Sequence, residues 1–141
     1  MSPWLTDRPI DVGGLLAEVA SADAGGTVVF LGTVRRSAED GDVAALEYSA
    51  YDEMAEAEFG RIVAEALARW PQARVALRHR LGSVALGEAS VAIATAAPHR
   101  AEAYAVSRFL IEETKRRAPI WKKARFASGR SQWVEGQRGG G

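Results

Sequence analysis

Two stretches of helical periodicity, each cut short by a proline, set the frame for this chain. Phe59, Ile62, Val63, Ala66, Leu67 and Trp70 fall on one stripe at the three-and-four spacing of a helix face. Asp52, Glu53 and Glu56 sit at the start, where acids favour the helix dipole, and Pro71 stops the run. A second helix is expected from about His99 to Arg117, with Ala103, Val106, Phe109 and Leu110 facing inward. Its pairs Glu112–Arg116 and Glu113–Arg117 have helix-stabilising spacing, and Pro119 ends it. Two such one-sided helices must cover a sheet or each other.

The rest of the sequence supplies strands. Thr27 to Val34 is β-branched and apolar and is expected to be a buried strand, with Val43 to Ser49 pairing beside it after an exposed loop over 35–42. Arg74 to Leu81 alternates, placing Val75, Leu77, His79 and Leu81 on one face. Ala89 to Ala97 makes a further strand after a turn over 82–88. Ile120 to Phe126 and Gln132 to Glu135 are expected to close a hairpin. A short helix is plausible over Asp11 to Ala22, although Gly13 and Gly14 weaken it. Interspersed strands and helices joined by short turns point to α+β with a mainly antiparallel sheet and two main helices. One domain is expected over residues 1–136, followed by a flexible glycine-rich tail over 137–141.

Composition narrows the chemistry. The 141 residues are 48% hydrophobic and 26% charged, ordinary for a globular domain, and no apolar run approaches a membrane span. The N-terminus does not resemble a secretory signal, and the default residence is cytoplasmic. Without cysteine the chain cannot carry a thiolate nucleophile or a persulfide, so any sulfur in its reaction must arrive on another molecule. Two histidines and no cysteine give weak support to metal catalysis, and no resident metal or cofactor is expected. Net charge is zero, yet Lys115, Arg116, Arg117, Lys122, Lys123 and Arg125 follow one another with no acid among them. A local cationic patch on a neutral protein suits a small anion better than nucleic acid.

The candidate groups follow from that patch. Cations at a helix C-terminus have an ordinary explanation in the dipole, which covers Arg116 and Arg117 better than Lys122 and Lys123 beyond the proline. Lysines held close together have depressed pKa values and can act as bases or nucleophiles near neutral pH. His99 and Arg100 lie at the mouth of the second helix, where backbone N–H groups favour anions, although a solvated helix start with a capping histidine fits equally. Arg35 ends a strand and gains interest only if it converges with these clusters. His79 lies on the apolar face of its strand and is expected to be a packed core histidine.

Several ordered blocks together resemble the large, catalytic subunit of molybdopterin synthase, over about Thr27 to Glu135. They are Phe-Leu-Gly-Thr-Val-Arg35, Leu46-Glu-Tyr-Ser-Ala-Tyr51 leading to Met54, His79-Arg-Leu-Gly82, Ala97-Pro-His-Arg100, Lys115-Arg-Arg-Ala-Pro-Ile-Trp-Lys-Lys123 and Trp133-Val-Glu135. The resemblance implies an α/β-hammerhead-like fold and a homodimer within a heterotetramer. The other members would be two small ubiquitin-like subunits whose C-terminal Gly-Gly carries sulfur as a thiocarboxylate. The implied substrate is cyclic pyranopterin monophosphate, converted to molybdopterin by two new dithiolene sulfurs.

Residue by residue, the resemblance assigns catalysis to Lys115 and Lys122. It assigns substrate binding to Thr33, Val34, Arg35, His99 and Arg100, with Lys123 as an adjoining basic position. Many relatives have an acid where this chain has Ala124, which puts any role for that position in doubt. On this reading Arg35, His99 and Arg100 hold the phosphate, with contributions from both protomers in view. Lys115 assists thiocarboxylate attack by proton transfer or charge stabilisation, and Lys122 stabilises developing negative charge. The rival readings are a non-catalytic module binding a phosphometabolite, a scaffold for a ubiquitin-like tail, and an RNA-binding domain.

Overall fold

The structure, a computed structural model, describes residues 3–36, 43–127, 129 and 131–133. The expected loop over 37–42, the end of the closing hairpin at 134–135 and the tail over 137–141 lie outside the described residues.

Two sheets carry the architecture. The first has four strands in the order β1 (Leu5–Thr6), β4 (Arg74–Arg80), β6 (Ala89–Ala97), β2 (Gly26–Thr33). All its neighbours are antiparallel except the short β1, which runs parallel to β4. The second is antiparallel throughout, in the order β5 (Gly82–Ala85), β3 (Val43–Ala50), β7 (Ile120–Phe126), β8 (Ser131–Trp133). Helices α2 (Asp52–Arg69) and α3 (Arg100–Arg117) cover one face of the first sheet, and the short α1 (Val12–Val19) covers the other. The α+β class, the mainly antiparallel pairing and the two long helices are therefore as expected.

The period-two alternation of the central strands sorts their residues by layer. Val91 and Ile93 of β6 and Leu77 of β4 face α2 and α3, where they pack with Phe59, Ile62, Val106 and Leu110. Burying each such side chain contributes roughly 1.5–3 kcal/mol. The intervening Ala76, Ala92, Ala94 and Ala96 face α1 and meet Leu15 and Val19. An alanine floor lets a glycine-containing helix lie close to the sheet. α1 is started by Asp11, whose carboxylate accepts from the Gly14 N–H at 3.0 Å. Its C-terminal carbonyls receive their cation from the sheet, since Arg74 donates to the carbonyls of Glu18 and Val19 at 3.2 Å.

Three local expectations are corrected. The 27–34 segment is an edge strand with alternating exposure, not a fully buried one, because α1 lies over β4 and β6 and leaves Val29 and Leu31 of β2 uncovered. β3 does not pair with β2. It joins β5 and β7, where Leu46 stands opposite Val84 and Ala124, apolar partners far off in sequence. The 82–88 segment is not only a turn, since Gly82–Ala85 forms β5 before the chain reverses.

At the start of α3 the packing is tight. Gly26 opens β2 directly against the backbone of Arg100, and a Cβ there would lie 2.8 Å from the Arg100 Cα. Gly26→Ala is expected to lower stability by about 1–3 kcal/mol through displacement of the helix start. Urea unfolding of the purified variant checks this, and an unchanged midpoint would contradict it.

Candidate active site

The site begins at the corner between α3 and β7. The Ala118 N–H donates to the Thr114 carbonyl at 2.9 Å and closes the last turn of the helix. Pro119 then prevents continuation, and the Ile120 N–H turns back to the Ala118 carbonyl at 2.9 Å. The chain enters β7 at once, so Lys122 returns beside Lys115. Both line an open cleft of about 1090 Å³ between this corner and the first turns of α2. Tyr51, Met54 and Trp121 form its apolar wall, and Glu58 adds a carboxylate.

Trp121 is 43% exposed, and it meets the exposed Tyr51 edge to face at 4.6 Å. Tyr51, Met54 and Trp121 entered the sequence reading only within the resemblance blocks. Their signal is positional: Met54 stands off the Phe59–Ile62 stripe, an exposed apolar residue at a helix start.

Electrostatics distinguish Lys115. It is half-buried, and burial, with the charge of Lys122 second, holds its amine below the ordinary lysine range. The sequence reading tied a lowered pKa to lysines held close together, whereas at Lys115 burial comes first and the second lysine after it. Beneath the pair lies His79 of β4, buried as expected, against Tyr48 of β3 at a ring separation of 5.2 Å. Tyr48 is opposite Lys122 in the β3–β7 register. Burial pushes the His79 pKa down to about 4. A hydrogen bond to the Arg80 carbonyl opposes that shift, and the charges of Lys115 and Lys122 add to it. Nδ1 lies 2.9 Å from that carbonyl, which can only accept, so the neutral ring carries its proton on Nδ1. Burial likewise raises Tyr48, against a hydrogen bond with Ser90.

The remaining sequence-derived positions divide between two ends of the domain. Lys123, one residue on from Lys122, faces the other side of β7 and stands over the Trp133 ring at 4.9 Å. It is not among the residues that line the cleft. Ala124 faces inward with Val43 and Phe126 in a small apolar cluster, so this position adds no group to the cleft. Thr33 is the exposed last residue of β2. Val34 is buried, its N–H donating to Glu88 and its carbonyl accepting from Gly87. Both its backbone groups are occupied by that turn, and its contribution is to fix where the exposed Arg35 leaves the sheet.

β2 and α3 start together at Gly26 and Arg100, and both run antiparallel to β6. Arg35 and Lys115 therefore emerge toward the same end. His99 and Arg100 are exposed at the opposite end of α3, and His99 occupies the N-cap without a side-chain capping bond. Fifteen residues of helix separate Arg100 from Lys115, about 22 Å at ~1.5 Å per residue. A single copy of the chain does not gather all the cations around one small ligand.

An α+β domain with a lysine-lined cleft at a helix–strand corner matches a known class. The family model described as MoaE protein matches residues 5–117, and the chain belongs to this family. The chain is 41% identical over 130 residues to a molybdopterin synthase catalytic subunit of Mycobacterium tuberculosis, a match covering 92% of this chain and 88% of that protein. Among solved structures, molybdopterin synthase from Staphylococcus aureus superposes with a TM-score of 0.88 at 32% identity, over 95% of this chain and 98% of the other. The complex of subunits 1 and 2 of molybdopterin-converting factor from Helicobacter pylori matches in fold, with a TM-score of 0.79 at 22% identity over 94% and 90% of the two chains.

His79 yields a pH prediction. Its folded pKa is depressed below the unfolded value, so the unfolded chain binds more protons between pH 6.5 and about 4, and stability falls on acidification through that window. From pH 7 to pH 5 the expected loss from this group is about 2 kcal/mol. Urea unfolding at both pH values, with His79→Gln alongside, checks it: the variant is expected to show a smaller loss, and an equal loss would remove His79 as the cause.

Proposed function

We propose that this chain is the catalytic subunit of molybdopterin synthase. It transfers sulfur from the C-terminal thiocarboxylate of a small ubiquitin-like partner to cyclic pyranopterin monophosphate, forming the dithiolene of molybdopterin. The observation that carries the reading is the pairing of Lys115 and Lys122 in one open cleft, with the Lys115 amine held below its ordinary range by burial. Family membership and the naming of its relatives support the same activity. A lysine with a lowered pKa gives up its proton more readily than an ordinary one, and a second cation beside it stabilises charge developing on the transferred group. Since the chain has no cysteine, the sulfur must come on the partner. The Helicobacter pylori complex of two subunits supports such an assembly. Residence in the cytoplasm belongs to the same proposal; among the described residues no helix is long and apolar enough to cross a membrane.

The geometry also bears on how the substrate is held. Lys115, Lys122 and Arg35 lie toward one end of the domain, and His99 and Arg100 lie about 22 Å along α3 from Lys115. If all five serve one anionic substrate, His99 and Arg100 come from a second copy. Each site of a homodimer would then combine the lysines and Arg35 of one protomer with the helix start of the other. The cyclic phosphate would sit against the guanidinium and imidazole groups, with the pterin reaching the lysines.

Lys115→Ala is expected to abolish dithiolene formation while the protein stays folded, with thiocarboxylated partner and cyclic pterin supplied. Near-normal turnover by the variant would refute the assignment. The shared site has its own test. Lys115→Ala and Arg100→Ala copies, each inactive alone, are unfolded together and refolded as a mixture. Random pairing in a two-fold dimer is expected to restore about a quarter of wild-type activity. Absence of recovery would place both groups in the same copy's function and exclude the shared arrangement.

A further inference from the structure

The two sheets have four outer strands, and three of them are short: β1 has two residues, β5 four and β8 three. β2 is the exception. Its eight residues, Gly26–Thr33, include no charged side chain and no proline. Thr27, Val29, Leu31 and Thr33 make its exposed face, and Val29 and Leu31 are 37% and 42% exposed. A long outer strand presents a row of unpaired N–H and C=O groups, which folded chains guard with charges, prolines or a covering segment. Among the described residues no strand pairs with the outer side of β2.

α3 stands beside this edge. It lies over β6 and β2, and α2 shares the same face of the sheet, so α2 stands on the β4 side. Phe109 against Trp70, and Arg117 on Glu58 and Glu65, turn one side of α3 to α2. At about 100° per residue, the opposite side carries Arg100, Tyr104, Ile111 and Lys115. That side overhangs the free edge of β2, and Tyr104 on it is 63% exposed.

We propose that the β2 edge and this side of α3 form one self-complementary surface that takes a second copy of the chain, with β2 pairing antiparallel to β2 about a two-fold axis near Phe30. The spacings agree at both levels. A register centred on Phe30 sets Val29 opposite Leu31 of the second copy, and Thr27 opposite Thr33, so the exposed apolar residues cover one another. In the helices, an antiparallel pairing that sets Arg100 opposite Lys115 also sets Tyr104 opposite Ile111, as an isologous contact requires. One axis serves both layers. From the shared start at Gly26 and Arg100, Phe30 lies about 13 Å along β2, and the midpoint between Arg100 and Lys115 about 11 Å along α3. With strands about 4.8 Å apart, two helices seated over β6 and β2 come about 10 Å apart across the seam, an ordinary distance for packed helices. The same axis brings Arg35, beyond the end of β2, to the Gly25–Gly26 start of the other copy, against which Pro98 and Arg100 lie.

This seam supplies the surface for the shared site and rests on that reading for its purpose, but its test needs no turnover. Wild type is expected to sediment as a dimer. Val29→Lys combined with Leu31→Lys sets like charges against one another across the seam, and the sedimenting mass is expected to halve while the circular dichroism stays that of wild type. The register has a separate test, since the chain has no cysteine of its own. Thr27→Cys and Thr33→Cys in one chain lie about 20 Å apart along the strand, beyond the roughly 7 Å reach of a disulfide, but face each other across the seam. Oxidation of that double variant is expected to give a covalent dimer, and either cysteine alone is expected to give none. A wild-type chain that sediments as a monomer would overturn the inference and leave β2 to another occupant. A folded lysine variant that stays dimeric, or a double cysteine variant that does not cross-link, would overturn it equally. Should the lysine variant fail to fold, the cross-link decides. Cross-linking without recovery of activity by mixed Lys115→Ala and Arg100→Ala copies would keep the seam and remove the shared site, whereas recovery without cross-linking would do the reverse.

Discussion

Two ammonium groups placed in one cleft repel, and the domain has to hold them there. Lys115 sits on the last turn of α3 and Lys122 on β7, joined by a corner that permits almost no freedom. Thr114 and Ala118 are buried at that corner, Pro119 forbids another helical turn, and β7 is zipped to β3 from Ile120 onward. α3 is itself seated on the first sheet through Val106 and Leu110, and Thr95 of β6 donates a hydrogen bond to the Ala103 carbonyl at 2.9 Å. The repulsion is thus opposed by packing elsewhere, and the consequence is an amine whose affinity for its proton is reduced.

The same logic explains the layer beneath. A histidine charged at neutral pH would add a third cation under the pair. Burial between Tyr48 and Phe59 keeps His79 neutral, and its Nδ1 proton is used on the Arg80 carbonyl. Arginines, which remain charged, are instead drawn off to carboxylates: Arg117 to α2, Arg125 to Glu47. Charge in this region is therefore sorted, with Lys115 and Lys122 sharing the cleft and the arginines that line or flank it paired with carboxylates.

Much of this was legible beforehand, for reasons that can be named. The stripe from Phe59 to Ala66 and the inward set Ala103, Val106 and Leu110 announced α2 and α3, because a 3.6-residue period leaves a mark that local sequence preserves. The alternation of 74–81 announced β4 and buried His79 correctly. The pairing of β3 was missed because the strand's partners, Val84 and Ala124, lie some 38 and 78 residues further on. The exposure of Val29 and Leu31 was missed because a β-branched run does not say which of its faces a helix will reach. The partners of Arg117 were only partly visible for the same reason: its i,i+4 partner Glu113 was apparent, but Glu58 and Glu65 are brought to it by the packing of one helix on another.

By itself the sequence determined the element types, the two helix stops, the absence of any thiol chemistry within the chain, and a basic run dense enough to propose a site. Those properties depend on neighbours within a few positions, or on composition alone. Only the tertiary structure decided which cations share a space. It turned Lys122 toward Lys115 and Lys123 away, through the two-residue period of a strand whose register β3 sets. His99 and Arg100 stay a helix length from the lysines, because α3 runs unbroken between them. Spacing along a chain gives the order of charged groups, whereas their distances and directions follow from how helices and sheets stack.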